Sequence, residues 1–126
     1  MSLRSPLSKA VGLGSAKHGF SHWWWQRLSA LALIPLCLWF VYSVVSLLGS
    51  SQAEAAAWLS QPLSATLMIL FVVAMLFHAQ TGLQVVIEDY VHSKWLNLTL
   101  LIGVKFAALG MAVLAILSVL KIVLGG

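Results

Sequence analysis

Apolar residues fall along this chain in three long blocks separated by short polar breaks. The blocks cover about Leu28 to Leu48, Leu63 to Ile87 and Leu98 to Leu124. Each exceeds the roughly 20 residues that an α-helix needs to cross a bilayer. Strict alternation of polar and apolar positions is absent, so the blocks predict helices and not barrel strands. The fold expected is an all-α membrane protein, one domain over 1–126, with three transmembrane helices behind a polar tail over 1–20. Pro35 lies inside the first block and should bend it. Ala53 to Ser60, with Trp58, predicts a short interfacial helix, and Pro62 suits the first turn of the second span. Gly103, Ala107 and Gly110 share one face of the third and predict a packing stripe.

Composition sharpens the picture. The chain is 61% hydrophobic and 8% charged, where soluble domains carry roughly 25% charged residues. Three spans with short connections leave no room for a soluble catalytic domain. Any demanding chemistry has to come from a cofactor or from partner subunits.

The net charge of +4 is topological and not a nucleic-acid signal. Arg4, Lys9, Lys17 and Arg27 precede or open the first span, and basic segments stay in the cytoplasm. The connection Gly49 to Gln61 has no Lys or Arg and carries Glu54; the next one carries Lys94. The expectation is a cytoplasmic N-terminus and a periplasmic C-terminus. Lys121 runs against this, but a single lysine can snorkel. Cys37 is the sole cysteine and cannot form an internal disulfide. Ser51-Gln52-Ala53 resembles a cleavage site, yet the apolar run before it and the basic leader are too long for a signal peptide. An uncleaved signal-anchor is expected.

The candidate chemistry centres on His78-Ala-Gln-Thr-Gly-Leu-Gln-Val-Val-Ile-Glu-Asp-Tyr90. His78 sits at the end of an apolar run, and an ionisable group at membrane depth marks a functional site by default. At about 100° per residue, His78, Gly82, Val85 and Asp89 share one helix face. Gly82 follows one turn later, about 6 Å along the axis, and clears space beside the imidazole. A haem ligand needs a neutral imidazole and a cleared surface. The alternative is a histidine that simply hydrogen-bonds between helices.

Other polar residues gather at the inner edge. Trp23-Trp24-Trp25 suits the headgroup layer, or a docking surface for a soluble subunit or a quinone. Arg27 could meet Asp89 and Tyr90 in one layer, binding the carboxylate, a haem propionate or a polar headgroup. A plain basic anchor is the other reading. Tyr90 is about 120° round from His78, so it should serve a neighbouring pocket. Its phenol can donate a hydrogen bond to a quinone carbonyl. Lys105 should snorkel, or pair with a phosphate or propionate. Asn97-Leu98-Thr99 matches a glycosylation sequon but falls on the expected cytoplasmic side.

Trp24-Trp25-Gln26-Arg27-Leu28-Ser29-Ala30 before span one, with the His78, Gly82, Asp89 and Tyr90 spacing through span two, resembles a known family. It is similar to the smaller hydrophobic membrane anchor of bacterial succinate dehydrogenase, respiratory complex II. The resemblance runs in topology from Ser21 to the C-terminus. It implies a heterotetramer: a flavoprotein subunit, an iron–sulfur subunit and a second, cytochrome b anchor with three spans of its own. It implies a haem b between the anchors and ubiquinone as substrate, with flavin and iron–sulfur clusters in the partners. It assigns His78 as an axial haem ligand, Tyr90 to the quinone, Asp89 to a supporting place beside it, and Arg27 to the propionate or quinone region. No catalytic residue is implied for this chain, and none acts on succinate. Glu88, His92 and the tryptophan run receive no role.

One deeply placed histidine also means that a bis-histidine haem would need its second ligand from another polypeptide. The rivals are a fumarate reductase anchor, a small multispan transporter and a haem-free assembly protein. A transporter should carry a mid-membrane carboxylate, whereas Glu54, Glu88 and Asp89 lie in loops or at a helix end. A bacterial inner membrane is expected ahead of the mitochondrial one.

Overall fold

The structure is a computed structural model that describes residues 13–125, with side chains from Ser21 onward. The expected tail over 1–20 therefore lies mostly outside the described residues, although 13–20 already belong to the first helix. The elements are α1 (Leu13–Ser46), α2 (Gln52–Leu59), α3 (Pro62–Tyr90) and α4 (Lys94–Val123). Three of them are long and apolar enough to cross a membrane: Ser21–Ser46 of α1, then α3 and α4. Each starts before its apolar block, because backbone hydrogen bonding continues through the polar residues at a span's end.

Local chemistry sets the boundaries. α1 runs unbroken through Pro35 and stops at a turn closed by Gly49 at φ 84°, a left-handed conformation that favours glycine. Ser51 then caps α2: its hydroxyl accepts from the Glu54 N–H at 3.2 Å, and its own N–H donates to the Glu54 carboxylate at 3.0 Å. Trp58 stacks on Trp39 of α1 with centroids 5.8 Å apart, while α2 itself packs against the two later spans. Pro62 opens α3, as expected.

α3 is the middle helix. It packs on α1 and on α4, and among the described residues those two do not pack on each other. The result is a row of helices and not a closed bundle. The contacts use small or flat side chains: Ser29, Ser43, Ser64, Ala65 and Thr81 are buried, and Phe40 stacks on Phe71 at 4.6 Å. Outward hydroxyls bond to their own helix, as in Thr66 to the Pro62 carbonyl at 2.7 Å and Ser118 to that of Leu114 at 2.7 Å. That pairs these hydroxyl protons where lipid offers no acceptor. Of the expected stripe on α4, Ala107 borders a cavity against α3, whereas a Cβ at Gly103 or Gly110 would meet nothing within 4 Å among the described residues.

Candidate functional site

The site is built where α1 crosses α3. His22, Gln26 and Ser29 lie at i, i+4 and i+7 and so form a polar stripe on one face of α1. His78 and Thr81 face it from α3. The His78 Nδ1 lies 3.1 Å from the Ser29 hydroxyl. That hydroxyl also lies 3.0 Å from the Gln26 carbonyl. One turn away, the Thr81 hydroxyl meets the Gln26 side-chain oxygen, with the Phe77 carbonyl at 2.9 Å from it. Two polar contacts therefore tie the helices together within a single turn.

Beside them opens a cavity of about 360 Å³ lined by His22, Trp23, Gln26, Arg27, Ala30, His78 and Val85. Two imidazoles, a guanidinium and a primary amide converge on it. The His22 Nε2 is buried without a hydrogen-bond partner. Arg27 lies over the Trp23 ring, 5.5 Å from its centroid. His78 is bonded through Nδ1, and its Nε2 makes no hydrogen bond among the described residues. On the other side of Ser29, an apolar groove of about 410 Å³ runs between the same helices, lined by Trp25, Leu28, Ala32 and Phe77 among others. The tryptophan run is thus divided, with Trp23 on the polar cavity and Trp25 on the apolar groove, edge-on to Phe77 at 6.4 Å.

His78 and Arg27 line one cavity, and Val85 joins them from the His78 face. Asp89 and Tyr90 are not on that cavity. They sit exposed at the end of α3, about 18 Å along the helix from His78. The single layer of Arg27, Asp89 and Tyr90 does not form, because Arg27 turns to Trp23 instead. The space beside Gly82 is not clear either: a Cβ there would stand 3.7 Å from the Gln26 amide nitrogen. The open volume lies instead between His78, Ala30 and Val85.

Other residues acquire places that sequence reading did not give them. The Asn97 amide donates to the carbonyls of Ile87 and Val91, both at 3.1 Å, and so pins the end of α3 to the start of α4. Glu88 ends a ladder on α3: the Gln80 amide donates to Gln84 at 3.4 Å, and the Gln84 amide to Glu88 at 3.0 Å. Lys105 shares a cavity of about 240 Å³ with Gln80. The apolar pattern gives no role to His22, Ser29 or Thr81, although the i, i+4, i+7 spacing of His22, Gln26 and Ser29 on α1 is a readable signal. No group of three His, Cys, Asp or Glu that could hold a bare metal ion occurs among the described residues.

Residues 1–120 match the sequence profile of the succinate dehydrogenase/fumarate reductase transmembrane subunit family. A succinate dehydrogenase hydrophobic membrane anchor subunit of Rickettsia bellii (strain RML369-C) is 38% identical over 103 residues, covering 81% of this chain and 82% of that one. Its counterpart in Paracoccus denitrificans is 33% identical over 111 residues, covering 88% and 84%. A succinate dehydrogenase membrane anchor subunit of Reclinomonas americana is 32% identical over 81 residues, covering 62% and 68%. No solved structure matches the chain significantly.

Proposed function

Because this chain belongs to the succinate dehydrogenase/fumarate reductase transmembrane subunit family, we propose that it anchors a succinate:quinone oxidoreductase in a bacterial inner membrane, ligates a haem b through His78 and forms part of the ubiquinone site with Tyr90 and Asp89. The flavoprotein, iron–sulfur and cytochrome b anchor subunits are its proposed partners. The relatives are named for succinate oxidation, and that direction is adopted here over fumarate reduction.

One observation carries the haem reading. His78 is held through Nδ1 alone, and its side chain lines a cavity shared with Arg27 and the partnerless His22 nitrogen. A porphyrin supplies four ligands of its own, so one imidazole from this chain suffices. Arg27 and His22 can hold propionate carboxylates by charge-assisted hydrogen bonds. When bound, the group supplies a one-electron store at membrane depth. Among the described residues the cavity is walled by α1 and α3, and a second anchor chain would supply any further ligand to the group.

The quinone end is separate. Tyr90 stands at the α3 terminus, where its phenol can donate to a quinone carbonyl. Reduction of the quinone takes two electrons from the iron–sulfur subunit and two protons from the cytoplasmic edge. Asp89, Glu88 and His92 are the titratable groups placed there to relay them.

The test is a reduced-minus-oxidised optical spectrum of the complex purified through a tag on this chain, with succinate as reductant. A b-type haem signal with flavin and iron–sulfur subunits is expected, and His78→Ala should abolish the haem signal. A complex of the expected subunits with no haem, or with haem retained in His78→Ala, refutes the ligand assignment.

A further inference from the structure

Ser29 is the side chain that meets the proposed ligand from α1, and it is 9% exposed, so water does not compete for its hydroxyl. We infer that Ser29 is a positioning residue: it accepts a hydrogen bond from the His78 Nδ1–H, fixes that tautomer and keeps the Nε2 lone pair available to a metal. The inference rests on the haem reading above.

A serine hydroxyl has one proton and two lone pairs. The Gln26 carbonyl, 3.0 Å away, can only accept, and donation from serine to the carbonyl three residues back is a common habit inside helices. With its proton committed there, the hydroxyl can only accept from His78 at 3.1 Å. The opposite arrangement has the hydroxyl donating to a bare Nδ1. The ring proton would then sit on Nε2, where no acceptor lies among the described residues. An unpaired N–H at membrane depth is costly. That tautomer would also have no lone pair for iron at Nε2.

The contact between Gln26 and Thr81, one turn away, is a separate tie between α1 and α3. Ser29 is the partner that the imidazole has among the described residues, so the ring does not choose between partners. Donation from Nδ1–H makes Nε2 a better donor to iron and favours the oxidised metal, which lowers the midpoint potential.

The experiment uses the purified complex with this chain as wild type, Ser29→Ala, Ser29→Thr, Ser29→Cys and Thr81→Val. It reads haem retained on dilution in detergent, haem midpoint potential, and the remote-nitrogen coupling of the axial imidazole by pulsed electron paramagnetic resonance. Ser29→Ala should lose haem about 10-fold more readily, raise the potential and alter the nitrogen coupling. Ser29→Thr keeps the hydroxyl and should restore all three. Ser29→Cys is nearly isosteric with a weak acceptor, and should shift in the alanine direction even if the alanine variant fails to assemble. Thr81→Val removes a hydroxyl that meets Gln26 and the backbone carbonyls of Phe77 and His78 but not the imidazole, and should keep the wild-type potential and coupling.

Wild-type potential and coupling in Ser29→Ala or Ser29→Cys overturn the inference and leave the haem reading standing. The same shift in Thr81→Val also overturns it, since the effect would then be general loosening of the helix pair. A wild-type complex without haem overturns both.

Discussion

At the scale of single residues, the two ends of α3 chemistry are separable. Tyr90 is 77% exposed and stands apart from the His78 cavity, so a change at one should leave the other's readout alone. Tyr90→Phe removes one phenolic hydrogen bond. The net worth of such a bond, about 1 kcal/mol, corresponds to a fall of roughly fivefold in quinone turnover. Succinate oxidation by an artificial acceptor should persist, and so should the haem spectrum. Equal loss of both activities would mean that Tyr90 serves assembly and not the quinone. Asp89→Asn tests the relay in the same assay: an unchanged pH profile of quinone reduction removes Asp89 from it. His78 was legible in the sequence because a lone ionisable side chain interrupts an apolar run. Ser29 and Thr81 were not, because small hydroxyl residues occur throughout membrane helices and satisfy themselves on their own backbone, as Ser118 does on Leu114.

At the scale of elements, the lengths were readable and the contacts were not. Apolar blocks located all three spans, and the stretch from Ala53 to Ser60 with Trp58 marked α2. Which faces meet is a different question. A helix that is hydrophobic on every side carries no amphipathic stripe pointing to its neighbour. The crossing of α1 on α3 had to come from polar residues at helical spacing, and the Trp23-Trp24-Trp25 run hid the first of them, His22. The end of α3 shows the same limit. Asn97 looked like part of a sequon, yet its two N–H groups serve the carbonyls of Ile87 and Val91 where α3 ends, the Ile87 carbonyl accepting from the Val91 N–H as well. Asn97→Asp is nearly isosteric, but its ionised carboxylate cannot donate to those carbonyls. Losing both bonds should free the last turn, the one that carries Asp89 and Tyr90. The measurement is hydrogen exchange together with quinone titration. Faster exchange confined to Ile87–Val91 and a raised quinone KM are expected, with an unchanged haem spectrum. Unchanged exchange there would mean that other contacts hold the turn.

At the scale of the whole molecule, three helices in a row bury few large side chains: Phe71, Ile87 and Val119 are buried alongside Ala65. A row has two broad faces for lipid or protein, which suits a subunit that completes its packing with others. The orientation expected from charge puts the start of the first span, with Arg27, and the connection before Lys94 on the cytoplasmic side, and the connection holding Glu54 on the other. Cys37 is exposed on α1 within the span, so Cys37→Ser gives a cysteine-free background. Ser50→Cys and Ser93→Cys then place single thiols on the two connections, both at exposed positions without a side-chain hydrogen bond recorded there. With the N-terminus inside, a membrane-impermeant maleimide added to spheroplasts should label Ser50→Cys alone. In inverted vesicles the pattern should reverse. Opposite labelling would put Tyr90 and Asp89 on the periplasmic face. Protons for the quinone would then come from outside, and a soluble iron–sulfur subunit in the cytoplasm could not reach that end of α3. The labelling pattern therefore decides whether the proposed quinone site and its electron donor can share a side of the membrane.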